Sequence, residues 1–355
     1  MSRFATTIMK NFTALTALLC AISVSSVAHH GTQGQFDASN TIEISGLVTE
    51  VAYVNPHAYV YVDVIDNAGN TTNWNCELRS ASVLNRSGWK KDMFATGTRV
   101  EIVGISARRD PAGCYVETIS FNGSKPIARY DQIEENQLQP ESARPQLTPW
   151  GVPYLGGDWA AAQNLIGAIS GPNAMEMGPR GGRGSGIKLT ETGQAARDAN
   201  YDASDKFTGR LDCKPRDFFR DWTFDQIPNG IYQEEDKIVL KYGFMSTVRT
   251  IHLGMDEHPD NIKPSWAGHS IGQWEDDVLV VETVGFTSVV SDRVTRSEEY
   301  RTSERFELDY EKGSLTRTYE AEDPLYWQGT HSGKDVVFLS DYHYEDYNCD
   351  DRTVE

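Results

Sequence analysis

The sequence predicts a mainly β protein: a small OB-like five-stranded barrel, then a larger antiparallel lipocalin-like barrel or curved sheet. Three observations carry that expectation. Residues 41–123 hold five segments of two-residue apolar alternation, with one helical segment between the third and the fourth, which is the chain order of an OB barrel. Residues 213–349 hold longer alternating segments in simple succession with turn signals between them, as in an up-and-down barrel. Between the two, residues 124–155 are rich in Pro, Gln and Glu and have no periodicity, which reads as a linker. The boundaries expected are therefore 1–28 for a signal peptide, 29–123 for the first domain, 124–155 for the linker and 156–355 for the second domain.

The chain opens with the three parts of an export signal. Arg3 and Lys10 are its positive end, Leu15 to Val24 its short apolar run, and Ser26-Val27-Ala28 its small-residue cleavage site. The apolar run is too short to span a bilayer. Leu19 precedes Cys20 where lipidation requires a small residue, so a lipoprotein is not expected. The expected mature chain begins at His29 and has no membrane span. Losing Arg3 and Lys10 takes the net charge from −18 to −20. A field of that sign repels nucleic acid and anionic lipid and suits cationic partners. The expected location is outside the cytoplasm, periplasmic or secreted.

Each segment of the first domain has a local cause. TIEISGLVTEVAYV alternates and ends at Asn55-Pro56. AYVYVDVID alternates strictly and stops at the turn Asn67-Ala-Gly69. TTNWNCEL is a third strand. SASVLNRSGW reads as a short helix, with Ser80 as its cap and Gly88 as its stop. TGTRVEIVGISARR and CYVETISF complete the five.

In the second domain, AAAQNLIGAI and TETGQAARDANYD read as short helices and GPRGGRGSG (178–186) as a loop. No Gly-Lys-Ser/Thr follows that loop, which excludes a phosphate loop. Two of the long alternating segments over 213–349 have the length of hairpins, with Glu311-Lys312-Gly313 as one turn. Gly157-Asp158-Trp159 matches the Gly-x-Trp opening of lipocalin-like barrels, which enclose one small ligand. Four cysteines remain after the signal. They allow three pairings in an oxidising compartment, and the domain split favours Cys76–Cys114 and Cys213–Cys349.

HHGTQGQFD, ISGLVTEVAYVNPHAYVYVDV, WNCEL and LNRSGWKKDMFATGTRVEIVG together resemble a family of exported bacterial proteins of unknown function, over roughly residues 29–123. PSWAGHSIGQWEDDVLVVETVGF and SERFE are similar to hypothetical secreted proteins that carry Gly-His-Ser-Ile-Gly-x-Trp. The resemblance implies roles for Asn55-Pro56-His57 and Gly268-His269-Ser270 and brings no activity with it.

Two groups of residues can carry chemistry. His29, once N-terminal, offers an α-amine and an imidazole Nδ1 that chelate one ion in a small ring. His30 or His57 would add another imidazole. Nitrogen donors of this kind suit Cu(II) in a square plane, so copper is the expected cofactor. The amine must first lose its proton, with a reference pKa of about 7.7–8.0. The other group is the second barrel. His269, His252, Glu304 and Asp323 are the candidate proton-transfer residues there, and Trp266, Trp274, Arg249 and Arg305 the candidate ligand contacts, with His258 nearby. A His beside a carboxylate in a closed cavity supports isomerisation, dehydration or hydrolysis without an organic cofactor. Alternation places Glu304 and Phe306 on one face and Arg305 and Glu307 on the other. His269 and Ser270 are strand neighbours and face opposite sides, so they form no catalytic pair. The acidic stretches DEHPD, EDD and YEDYNCDD read as solvated turns.

Three readings follow. The first is an exported binding protein, with copper at the mature N-terminus and a small apolar ligand in the second barrel. The second is a cofactor-independent acid/base enzyme acting inside that barrel. The third is a structural envelope protein.

Overall fold

The structure is a computed structural model. It describes residues 35–133, 144–161, 187–200, 213, 215, 218–224, 227–290, 294–340 and 342–350. The signal segment, His29, His30, the 178–186 loop and most of AAAQNLIGAI lie outside the described residues.

The first barrel contains β1 (Phe36–Ala52), β2 (Tyr59–Ile65), β3 (Thr71–Glu77), helix α1 (Ala81–Arg86), a 3-10 turn (Lys91–Phe94), β4 (Arg99–Ala107) and β5 (Gly113–Phe121). β1 pairs with β2 and β4, β2 with β3, β4 with β5, and β3 runs parallel to β5, so five strands close on themselves. β1 is long enough to serve both neighbours: Phe36–Leu47 pairs with β4 and Leu47–Ala52 with β2. At the changeover a Cβ on Gly46 would lie 2.2 Å from the Asp63 carbonyl, so only glycine lets the strands approach there. The Cys76–Cys114 disulfide joins directly opposed residues of the parallel pair and locks the closure. Val60, Val62, Leu84, Trp89, Phe94, Ile102 and Ile119 fill the core.

Gly88 ends α1 with φ +82°, as its sequence position predicts. Ser80 holds the N-cap position but makes no side-chain cap bond. The Ser82 amide is capped instead by Asn55 Oδ1 at 3.1 Å, from the turn before β2. Asn55-Pro56 is a cis peptide bond.

Of the stretch expected as a linker, the described residues 124–133 lie against the first barrel and 144–155 against the second. β6 (Ile127–Ala128) adds to β5, the Trp89 indole donates to the Asp131 carbonyl, and the Ile133 amide donates to Ser87. Leu155 belongs to the second core, and the Arg144 guanidinium lies 5.0 Å from the Trp159 ring. Low periodicity goes with irregular backbone in the described parts, 124–133 and 144–155, which pack on the barrels.

The second barrel closes nine strands in the order β10–β11–β12–β13–β16–β17–β19–β7–β9. They are β7 (Gly157–Ala160), β9 (Asn229–Gln233), β10 (Lys237–Lys241), β11 (Val248–Leu253), β12 (His269–Glu275), β13 (Val278–Val284), β16 (Arg301–Asp309), β17 (Ser314–Glu322) and β19 (His331–Leu339). The remaining two-residue strands β8 (Lys188–Leu189), β14 (Val289–Val290), β15 (Thr295–Arg296) and β18 (Trp327–Gln328) pair outside the barrel. Gly157-Asp158-Trp159 does open the barrel strand β7, and residues 310–313 turn β16 into β17. One joint departs from simple succession: β11 and β12 are parallel, because residues 254–268 cross back over the wall instead of making a tight turn.

Beside the barrel lie α2 (Glu191–Asn200) and α3 (Phe218–Trp222). α3 sends Phe219 and Trp222 into the barrel core, where Phe219 stacks on Tyr319 at 3.9 Å and Trp222 meets Tyr242 and Phe306 edge-on. Segment 342–350 then runs to the first barrel. Asn55 and Cys349 form a parallel bridge, and the Asp350 amide donates to the Asn55 carbonyl. The Cys213–Cys349 disulfide fastens this strap, so both cysteine pairings expected from the domain split are present.

Candidate functional site

The turn Asn55-Pro56-His57 delivers an imidazole to a buried carboxylate. His57 Nδ1 lies 2.6 Å from Glu77 Oε1, with side-chain exposures of 27% and 4%. Glu77 is the last residue of β3, next to the disulfide-bonded Cys76. Tyr59 donates its hydroxyl to Glu77 Oε2 at 3.4 Å. Arg129 donates to the Glu77 and Leu78 carbonyls at 2.6 and 2.7 Å, holds its Nη2 3.7 Å from Glu77 Oε1, and stacks its guanidinium 3.6 Å from the Tyr115 ring. Burial pushes the Glu77 carboxyl up, but the His57 charge and hydrogen bond, with Arg129, outweigh it and hold the group below the usual carboxylate range. Burial, reinforced by the Glu77 charge, pushes the Tyr59 phenol far up, so it stays a donor.

This arrangement defines what His57 can do. A carboxylate on Nδ1 fixes the tautomer and ring orientation and leaves Nε2 as the atom that binds an ion or takes a proton. Glu77 and Arg129 were not legible as site residues. Glu77 looks like one more strand-end charge, and Arg129 sits in the stretch without periodicity.

The candidates of the second barrel separate by face. Inside, Arg249 pairs with Glu304, Arg317 with Glu304 at 3.2 Å and with Asp335 at 2.6 Å, all wholly shielded from solvent. Arg249 also donates to Ser270 Oγ at 2.9 Å and Thr283 Oγ1 at 2.8 Å. Burial opposes the Arg317 charge, but Asp335 and Glu304 more than offset it and hold its pKa above the usual arginine value. Burial pushes the Asp335 carboxyl up against the opposing pull of Arg317. Around this network the described aromatic and aliphatic side chains fill the interior.

His252 and His269 lie on the outer wall, so the expected meeting of a histidine with Glu304 in a closed cavity does not form. The physical reason is alternation: Ser270, the neighbour of His269, faces inward and is buried, as is Ile251 beside His252. Asp323 is also outside any histidine contact; it accepts from the Ser297 amide and hydroxyl at 2.6 and 2.7 Å and from the Tyr326 amide at 2.9 Å, stapling two loops. Arg305 is exposed and pairs with Glu275 at 2.9 Å. Trp274 packs against the core, and Trp266 lies 5.6 Å from the Arg296 guanidinium.

The outer wall gathers three imidazoles. His252 stacks on His269 with centroids 5.0 Å apart and planes at 16°. His258, carried by the 254–268 crossover, meets His269 edge-on at 5.1 Å, with the two Nδ1 atoms 2.9 Å apart. Burial pushes both His258 and His269 below the usual histidine value; Glu282 opposes the shift at His258, while His252 and His258 add to it at His269. A shallow groove of about 220 Å³ lies on the same wall, lined by Glu282, Arg301, Ser303, Glu320 and Glu322 among others. Among the described residues no three His, Cys, Asp or Glu side chains converge at metal-binding distance.

A family model described as a family of unknown function (DUF6152) matches residues 17–114. The match covers the first barrel as far as Cys114 and none of the second. No curated protein matches the chain.

Proposed function

We propose that this is an exported copper-binding protein in which the first barrel supplies the metal-binding imidazole. The observation that carries the reading is the 2.6 Å contact from His57 Nδ1 to the buried Glu77 carboxylate. A carboxylate behind a histidine raises the basicity of the free nitrogen and aims it, as it does behind metal-bound histidines. His29 and His30 would complete a nitrogen-rich set suited to Cu(II). Export is supported by the signal-like first 28 residues and by two disulfides, which persist in oxidising compartments. No described helix is long and apolar enough to cross a membrane.

A small-ligand or acid/base role inside the second barrel has less support, because aromatic side chains and a closed ion network occupy the described interior. The same packing, with the strap between the barrels, favours the structural envelope reading as the second choice.

The test is a Cu(II) titration of the processed protein, with its first residue read by mass spectrometry. One tight equivalent is expected on a chain that begins at His29. His57→Ala removes it, and Glu77→Gln weakens it by roughly 10–100-fold, the usual cost of losing a carboxylate behind a metal-bound histidine. Equal affinity in the wild type and His57→Ala overturns the copper reading and leaves the structural one.

A further inference from the structure

The outer-wall histidines have no part in the copper reading above. We infer that the His258–His269 hydrogen bond is an acid-released latch: it holds the flap of residues 254–264 against the wall of the second barrel at neutral pH and lets it go when both rings are protonated.

The way the flap is held comes first. Both ends of the crossover are fixed by backbone. The Leu253 amide donates to the Asp236 carbonyl at 2.8 Å, the Ser265 amide to the Gly285 carbonyl at 3.1 Å, and the Thr287 amide to the Ser265 carbonyl at 2.8 Å. Between those ends, residues 254–264 make no backbone hydrogen bond among the described residues. Their one side-chain hydrogen bond among the described residues joins the Nδ1 atoms of His258 and His269 at 2.9 Å. Ile262 adds an apolar contact over Gly285. Ile271 shares the outer face with His269, yet it is only 8% exposed and stands apart from the inner core. A buried side chain on an outer wall needs a cover, and the flap crosses there.

Protons decide the contact. One ring must offer an Nδ1–H and the other a bare Nδ1. His258 Nε2 is buried and makes no hydrogen bond, so a hydrogen there would be a donor without an acceptor. The neutral His258 therefore carries its hydrogen on Nδ1, and His269 accepts it. A first added proton keeps the bond only by placing a hydrogen on that buried Nε2. A second leaves two Nδ1–H groups and two like charges face to face, and the bond opens. The His252 ring, stacked 5.0 Å from His269, brings a third positive charge in acid.

The neighbours set the direction. Burial lowers the pKa of both His258 and His269; Glu282 on β13 opposes this at His258, and His252 on β11 adds to it at His269. On β10, Lys237 lies opposite His252 and pairs with Glu234. On β16, Arg301 pairs with Glu322 of β17 in the groove that Glu282 and Glu320 also line. The flap itself carries Asp256, Glu257, Asp260 and Lys263, all exposed. An open flap returns both rings to the ordinary histidine value of about 6.5. The open form then binds more protons than the closed one as pH falls below about 6.5, so closure is fully favoured above that value and weakens steadily below it. Release bares Ile271 beside the acidic groove.

The test uses the full processed chain in metal-free buffer with a chelator, so that copper at His57 takes no part. A glutamate-specific protease cuts after Glu257, within the flap, and mass spectrometry follows that cut. Each rate is divided by the rate on the free peptide of residues 254–264 with the same sequence at the same pH, which removes the protease's own pH dependence. The ratio for the wild type is expected to rise at least about tenfold from about pH 7.5 to about pH 5, because cleavage follows the open population. His258→Gln and His269→Gln each leave one chargeable ring in the pair, and the rise is expected to vanish in both. His57→Ala is expected to keep it. Circular dichroism at both pH values checks that the barrels stay folded, and variants on two segments guard against one failing to fold. A flat ratio in the wild type overturns the latch. So does a rise that persists in either glutamine variant, or one that His57→Ala abolishes.

Discussion

The Asn55 carboxamide accepts the Ser82 amide at 3.1 Å, donates to Ser82 Oγ at 2.9 Å, and donates again to the Tyr347 carbonyl. Its backbone carbonyl accepts the Asp350 amide. One buried side chain therefore caps α1 and grips the strap from the second barrel. The resemblance implied a role for Asn55-Pro56-His57, and the structure divides that role. Asn55 holds the fold, and His57 faces the buried Glu77. Asn55→Ala removes the cap and leaves the Ser82 amide and the Tyr347 carbonyl with lost partners. A loss of about 1–3 kcal/mol in unfolding free energy is expected from urea titration. A change within a few tenths of a kcal/mol would mean that water replaces the carboxamide. Nothing local in the sequence revealed this cap. Ser80 occupies the right position and is the right residue type, but the competing side chain arrives from a turn 25 residues earlier in the chain.

The long segments of the second barrel were legible as elements. β16 and β17 alternate over nine residues each and turn at 310–313. Their two faces were legible too, with Glu304 and Phe306 on one side and Arg305 on the other, but not which of them is the inner one. What Glu304 does there was not, because its partners Arg249 and Arg317 come from β11 and β17, and the strand that supplies Asp335 is β19. Ion pairs in the two environments should respond differently. Glu304→Gln leaves two guanidinium groups inside the barrel with one carboxylate between them, and is expected to cost about 3–5 kcal/mol. Glu275→Gln breaks only the exposed pair with Arg305 and is expected to cost about 0–1 kcal/mol. Thermal unfolding of both variants checks the contrast; equal shifts would show that the interior network is not isolated from water.

The two barrels are fastened by a strap that both begins and ends on distant sequence. Cys349 lies beside Asn55 and is disulfide-bonded to Cys213, 136 residues away. Tyr347 packs with Phe244 and Ile227 on the second barrel. The Tyr342 ring sits 5.6 Å from the Arg86 guanidinium on the first. Cys349→Ser releases the anchor and is expected to cost roughly 2–5 kcal/mol. Hydrogen exchange should locate the loss: the Ser82 and Asp350 amides lose protection while the cores of both barrels keep theirs. Unchanged exchange at those two amides would show that the strap holds without its disulfide.

Periodicity, turn residues and cysteine count are local or compositional properties. They sufficed for the mainly β class, the two barrels, the chain order of the first one, the β16–β17 hairpin and the cysteine pairing. Tertiary structure alone decided the rest. Closure of each barrel chose which strands meet in parallel, which charges share an interior and which imidazoles share a wall. Glu77 behind His57, Asn55 over α1, Arg317 between Glu304 and Asp335, and His258 against His269 are all contacts between segments brought together by that closure. A two-residue period says which face a side chain takes; it carries no information about what another strand places opposite.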